Sequence, residues 1–203
     1  MQKRLSAVFA LGLMSLSASL AAPAMAQAPA PHLRGTISSV TGDVIEVKTR
    51  RGETVAVTLD GNLIVSGVFK SNMADIKPGS FIGTAAAPQP DGSLKALEVT
   101  VFPPGITGGD GHYAWDLEPN STMTNGTVGE LSTAKGRVLT VKYPTGEKQI
   151  MVPDDVPVVS FHPSSRAALV VGAHVTVNPI KALDGSTHAA RIQVGEGGMI
   201  PPA

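Results

Sequence analysis

Apolar and polar positions alternate in short runs along this chain. No stretch keeps a 3.6-residue period over three turns, so the pattern predicts strands joined by tight turns. Val44 to Thr49 and Thr54 to Leu59 are β-branched and alternating, with Ile45, Val47, Val55, Val57 and Leu59 on the faces that require burial. Thr41-Gly42-Asp43 and Arg50-Arg51-Gly52 separate them at hairpin distances. Leu63 to Val65 reads as a shorter strand. Ser71 to Ile76 reads as one helical turn, opened by Ser71 or Asn72 and ended by Pro78-Gly79. Phe81 to Ala86 and Leu94 to Val101 form a last pair across Pro90-Asp91-Gly92-Ser93. The second half follows with Val138 to Tyr143, Lys148 to Val152, Val158 to Ser160, a turn near Ser164 to Leu169, His174 to Asn178 and His188 to Val194. Asp60-Gly61-Asn62 and Asp184-Gly185-Ser186 are similar to the start of calcium loops but lack the later acidic ligands, and read as hairpin turns.

The two halves align in order. Gly35-Thr36-Ile37 matches Gly126-Thr127-Val128, Val47 matches Val141, Gly52-Glu53 matches Gly146-Glu147, Gly79 matches Gly172, and Asp91-Gly92-Ser93 matches Asp184-Gly185-Ser186. Such agreement points to an internal duplication. The expected fold is all-β: two tandem small antiparallel β-barrel domains, residues 33–101 and 124–195, with closure removing the edges a flat sheet would expose. A sandwich with one long sheet shared between the copies is the main competitor. Residues 27–32 and 196–203, rich in Pro, Gly and Ala, are expected to be flexible tails.

Residues 102–123 join the two units as an ordered Gly/Pro/aromatic connector. This stretch has no Lys or Arg, and it holds the single tryptophan, Trp115, and one of two tyrosines, Tyr113. A flexible spacer needs none of these side chains. Burying Tyr113 and Trp115 would brace two marginal units, with His112 and Asp116 at the rim. The same rings could instead form an exposed recognition platform. His112, Tyr113, Trp115 and Asp116 are therefore the candidate interaction or bracing residues.

The first residues show the pattern of a secretory signal peptide: Lys3 and Arg4, an apolar run from Leu5 to Leu20, then Ala24-Met25-Ala26. Residues 1–26 are expected to be removed after Ala26 and the rest exported to the periplasm, with no membrane span. The chain has no cysteine, so core burial rather than disulfides must hold an exported form together. Removing Lys3 and Arg4 from the 16 basic residues leaves 14 against 16 acidic, a charge of about −2 that gives no attraction for nucleic acid.

Chemistry is sparse. None of the five histidines, His32, His112, His162, His174 and His188, pairs at i, i+2 or i, i+4, so no metal site is read and no cofactor is expected. Ser160, Ser164 and Ser165 lie near His162 without a G-x-S-x-G elbow, and no catalytic residues are assigned. The glycines of the connector lack the Lys and Ser or Thr of a phosphate loop.

The motifs Gly35-Thr36-Ile37, Gly52-Glu53, Asp75-Ile76-Lys77-Pro78-Gly79 and Asp91-Gly92-Ser93, followed by Ala96, resemble the small repeated β domain of exported bacterial proteins of the DUF5666 type. The second copy departs from it where Ala168-Leu169-Val170-Val171-Gly172 replaces the Asp-Ile-Lys-Pro-Gly run. The resemblance implies an OB-like barrel and no settled activity. The sequence points to a non-catalytic periplasmic binding or scaffold protein whose partner is a protein or a cell-envelope component. A periplasmic carrier of a metal or small ligand, or an enzyme with a site between the units, are the alternatives.

Overall fold

The computed structural model describes residues 30–132 and 137–202. The leader at 1–26 and the start of the expected N-terminal tail lie outside the described residues. Twelve strands follow one another: β1 (Leu33–Thr41), β2 (Val44–Thr49), β3 (Thr54–Lys70), β4 (Phe81–Pro88), β5 (Leu94–Val101), β6 (Gly111–Ala114), β7 (Thr122–Ser132), β8 (Arg137–Tyr143), β9 (Gly146–Val152), β10 (Val158–Ser164), β11 (His174–Lys181) and β12 (Thr187–Gly195). Short 3-10 turns at Met73–Asp75 and Arg166–Ala168 occupy the two places where helical turns are expected. The first is fixed by the Asn72 N–H donating to the Asp75 carboxylate at 3.0 Å.

The strands join into one sheet in the order β12-β11-β1-β2-β3-β10-β5-β4-β7-β8-β9, with β6 on β7. A further pairing of β12 with β3 closes β3-β2-β1-β11-β12 into a five-strand barrel. The other seven strands are bonded onto it. Among them β5-β4-β7-β8-β9 curls so that its outer strands meet over two residue pairs, Leu94 with Ile150 and Lys95 with Met151.

This arrangement corrects the expectation of two tandem OB-like antiparallel barrels. The closed barrel takes three strands from residues 33–70 and two from residues 174–195, while β4 leaves that half to pair with β7 and β5 to pair with β9 and β10. Repeat-like segments at 33–101 and 124–195 therefore do not close on themselves. Three of the ladders, β3 with β12, β5 with β10 and β5 with β9, are parallel. Alternation along a strand reports which face is buried, not which strand lies beside it, so the pattern is compatible with either pairing.

The cores follow the same exchange. Ile37, Ile45, Val47, Val57, Val177 and Ile192 fill the closed barrel and accept Leu169 from the later half; Ile82, Val99, Val128, Leu139, Val141 and Ile150 form a second cluster that accepts Ile76 from the earlier half. Each fully buried aliphatic side chain contributes about 1.5–3 kcal/mol. Two backbone bonds pin the crossings: Gly79 N–H donates to Val128 O, and Gly172 N–H to Ile37 O, each at 2.8 Å. Both glycines have φ of +89°, a conformation that favours glycine.

Asp60-Gly61-Asn62 is not a hairpin turn. β3 continues through it, and the parallel ladder with β12 passes there from Ala189 opposite Leu59 to Arg191 opposite Ile64, so residues 60–63 bulge out of it. Asp184-Gly185-Ser186 does turn, with Ser186 N–H and Oγ both donating to Asp184 Oδ1.

Candidate functional site

β5 carries the irregularity that builds the site. Ala85 pairs with Glu98 and Ala86 with Ala96, so Leu97 is an extra residue in the ladder. Ala96 and Val99 consequently both reach the apolar cluster, and Glu98 and Thr100 take the opposite face. That face is not solvent. It is covered by β11 and β12 of the closed barrel and by the connector, leaving a cavity of about 130 Å³. Its wall includes Glu98, Thr100, Trp115, Asn125, Thr176 and Asn178.

Glu98 is 2% exposed and Thr176 1% exposed. Thr100 Oγ1 donates to Glu98 Oε1 at 2.7 Å, but Glu98 Oε2 has no protein partner. Trp115 Nε1 and Thr176 Oγ1, buried atoms of two other residues in the same wall, also lack one. Burial pushes the Glu98 carboxyl up to about 7, against the Thr100 hydrogen bond and the positive charge of Arg34, which act to lower it. A buried polar atom without a partner costs about 1–3 kcal/mol, and three around one small space are a concentrated demand for hydrogen bonds.

His32 and Trp115 line one side, with Arg34 and Asp116 behind them. Arg34 Nη2 donates to Asp116 Oδ1 at 2.7 Å, and the His32 backbone N–H and ring Nδ1 approach the same carboxylate at 2.5 and 3.0 Å. Partial burial alone would push Asp116 up, but the Arg34 and His32 hydrogen bonds and their charges outweigh it and hold the carboxyl at about 2. The His32 ring also packs on Trp115, with centroids 4.6 Å apart. Trp115 is positioned locally by its N–H to Ser121 O bond at 2.8 Å, in a turn that places Asn120 at φ +62°.

The four residues singled out from sequence separate into different roles. Tyr113, 40% exposed, lines the cavity and accepts from Asn125 Nδ2 at 2.8 Å; burial pushes its phenol up. Trp115 forms the wall described above. Asp116 is not in the wall and bonds Arg34 behind it. His112 points elsewhere: Nδ1 lies 2.9 Å from Thr124 Oγ1, the ring stacks with Tyr143 at 6.4 Å, and burial, with Lys148 nearby, lowers its pKa.

Two glycines make room for this arrangement. A Cβ on Gly83 would lie 2.5 Å from Asn125 Oδ1, and one on Gly109 2.9 Å from Asn125 Nδ2. Asn125 uses that space to donate to Gly109 O as well, at 3.1 Å. A wider groove of about 680 Å³ adjoins the cavity and shares Phe102, Asn125, Phe161, Asn178 and Gln193 with it.

A second polar cluster has a superficially catalytic look. Ser186 Oγ is 2.9 Å from His188 Nε2, and His188 Nδ1 is 3.4 Å from Asp60 Oδ1. The single hydroxyl proton of Ser186, however, goes to Asp184 at 2.6 Å, and Ser93 bonds Asp91 in the same way with no histidine present. The geometry is that of the turn. Ser160 Oγ and His162 Nε2 are 3.5 Å apart and exposed. Among the described residues no group of three or more His, Cys, Asp and Glu could hold a metal ion, and no helix is long and apolar enough to cross a membrane.

Comparison with protein-family models, curated proteins and solved structures finds no match for the chain. With no family model behind it and with strands exchanged between the halves, the DUF5666 resemblance is corrected: its short motifs mark glycine turns and strand starts, which unrelated β folds also require.

Sequence reasoning missed Glu98, Thr100 and Thr176. Glu98 sits where simple alternation would place a solvated side chain. The one signal in the sequence is that its next neighbours on the same face, Thr100 and Phe102, are uncharged.

Proposed function

We propose that this is a non-catalytic binding protein that holds a small polar ligand in the cavity at Glu98, and that it works in the periplasm after removal of residues 1–26. The observation that carries the reading is that three residues of one cavity wall, Glu98, Trp115 and Thr176, each carry a buried polar atom without a partner, Oε2, Nε1 and Oγ1. A buried carboxylate with an open lone pair is costly in a structural role and useful in a binding one. The adjoining groove supplies a route of access, and Tyr113 and Trp115 serve as wall and brace. Ordered water is the competing occupant, since a polar cavity of this size can hold a few molecules.

Ligand-observed NMR with a library of polar fragments, combined with a high-resolution crystal structure of the mature protein, tests this. Binding that is lost in Glu98→Gln, with fragment density beside Glu98, supports it. Absence of any bound fragment, with only water in the cavity, would sink it. N-terminal sequencing of the periplasmic fraction tests the location: a first residue other than Gln27 contradicts the cleavage, and recovery only in the cytoplasm contradicts export.

A further inference from the structure

We infer that the ligand of the Glu98 cavity is a small protonated amine that also carries an oxygen acceptor, an amino alcohol in class; this rests on the small-ligand reading above. Residues of the wall carry one anionic acceptor, Glu98 Oε2, one obligate donor, Trp115 Nε1–H, and one hydroxyl able to do either, Thr176 Oγ1, all buried and without a partner. A ligand satisfying all three must both donate and accept. The donating end faces a carboxylate, which selects a cation.

Charge bookkeeping around the site agrees. Arg34 commits Nη2 to Asp116, which His32 also contacts, and although its charge reaches Glu98 and its buried Nε has no partner, it makes no hydrogen bond to Glu98, whose one bonded partner is the Thr100 hydroxyl. An anionic ligand would meet the buried carboxylate directly. A metal ion would need several oxygen ligands, and a single carboxylate does not supply them. An ammonium group is served by one carboxylate, hydroxyls and aromatic faces.

The cavity is also rich in aromatic rings. Phe102, Tyr113, Trp115 and Phe161 line it, half of the five Phe, two Tyr and one Trp in the whole chain. The faces of such rings attract a desolvated cation through their quadrupoles, whereas Trp115 as an Nε1–H donor uses its edge. The volume of about 130 Å³ equals that of roughly four waters at ~30 Å³ each, so the ligand has few heavy atoms.

The titratable and charged groups around Glu98 are Arg34 on β1, His32 ahead of it, and Tyr113 and Asp116 of the connector. Asp116 is held low and Tyr113 is pushed up, away from neutrality. Burial raises Glu98 to about 7, so its ionised, cation-binding form gains population between pH 6 and pH 8.

The test is calorimetric titration of the mature protein with ethanolamine and with ethylene glycol, its neutral isostere, at pH 6 and pH 8, with the emission of Trp115 followed in parallel. Ethanolamine should bind at pH 8, about tenfold more weakly at pH 6 as the competent fraction falls, and ethylene glycol should not bind measurably. Glu98→Gln should abolish both binding and its pH dependence. If that variant does not fold, Trp115→Phe, which keeps the carboxylate, should retain the preference for the amine with several-fold weaker affinity. Equal binding of the two probes, or equal ethanolamine affinity at both pH values, overturns the amine inference and leaves a small-ligand site standing. Binding of neither probe, with no polar fragment bound either, overturns both.

Discussion

Arg34 Nη2 lies 2.7 Å from Asp116 Oδ1, tying the first strand of the closed barrel to the connector 82 residues further along. Asp116 also accepts from His32, which packs on Trp115 in the cavity wall, so the pair couples the shape of the site to the crossing of the chain. Its charge state has a testable acid signature. Because Asp116 is held at about 2, below its ordinary 3.8, its contribution is complete above pH 4 and is lost as pH falls toward 2. Asp116→Asn should therefore lower stability by about 2 kcal/mol at pH 6 and remove that part of the acid dependence. Urea unfolding of both proteins between pH 2 and pH 6 measures it, and parallel curves would contradict it.

Gly83 and Asn125 face each other across β4 and β7. Gly83→Ala would place a methyl 2.5 Å from Asn125 Oδ1 and force that side chain off Gly109 and Tyr113. The expected cost is about 1–3 kcal/mol. Asn125→Ala in the same chain removes the clash, so the double variant should be more stable than the sum of the singles predicts, as thermal unfolding of all four proteins would show.

The exchange of strands makes a prediction about fragments. A chain ending at 101 supplies β1 to β3 without the β11 and β12 that close their barrel, and β4 and β5 without β7. Residues 27–101 and 102–203 expressed separately should each give weak, poorly dispersed NMR spectra, and mixing them should restore the dispersed spectrum of the intact protein. A well-dispersed spectrum from either fragment alone would contradict the interleaved fold.

Much of the strand content was readable because alternation and turn residues are local, although β1, β6 and β7 lie outside the strands the pattern names. Val44–Thr49 and Leu94–Val101 are strands over the same residues the pattern predicts. The pairing was not readable, since β4 suits the edge of β7 as well as that of a neighbour in its own half, and nothing in Phe81–Pro88 encodes the choice. Trp115 and Tyr113 stood out by rarity and do line the cavity. Glu98 did not, because its burial depends on the extra residue Leu97 and on the cover that β11 and β12 bring from far along the chain. Thr176 was hidden for the same reason: it alternates with the core residues Val175 and Val177, and the face opposite a core is ordinarily solvent.

The buried carboxyl of Glu98 is the feature on which the binding account stands, and carbon-detected NMR of its side chain across pH reports it directly. The account predicts an apparent pKa of about 7 in the free protein. The native state then holds a proton that the unfolded chain has already lost, so stability declines as pH rises from the ordinary glutamate value to 7 and is level above it. Glu98→Gln should remove that decline and be the more stable protein at pH 8, by on the order of 2–3 kcal/mol. Ethanolamine should draw the Glu98 titration to lower pH. A carboxyl that titrates near its ordinary 4.5 and ignores the ligand would show that Glu98 is solvated, and would contradict the site.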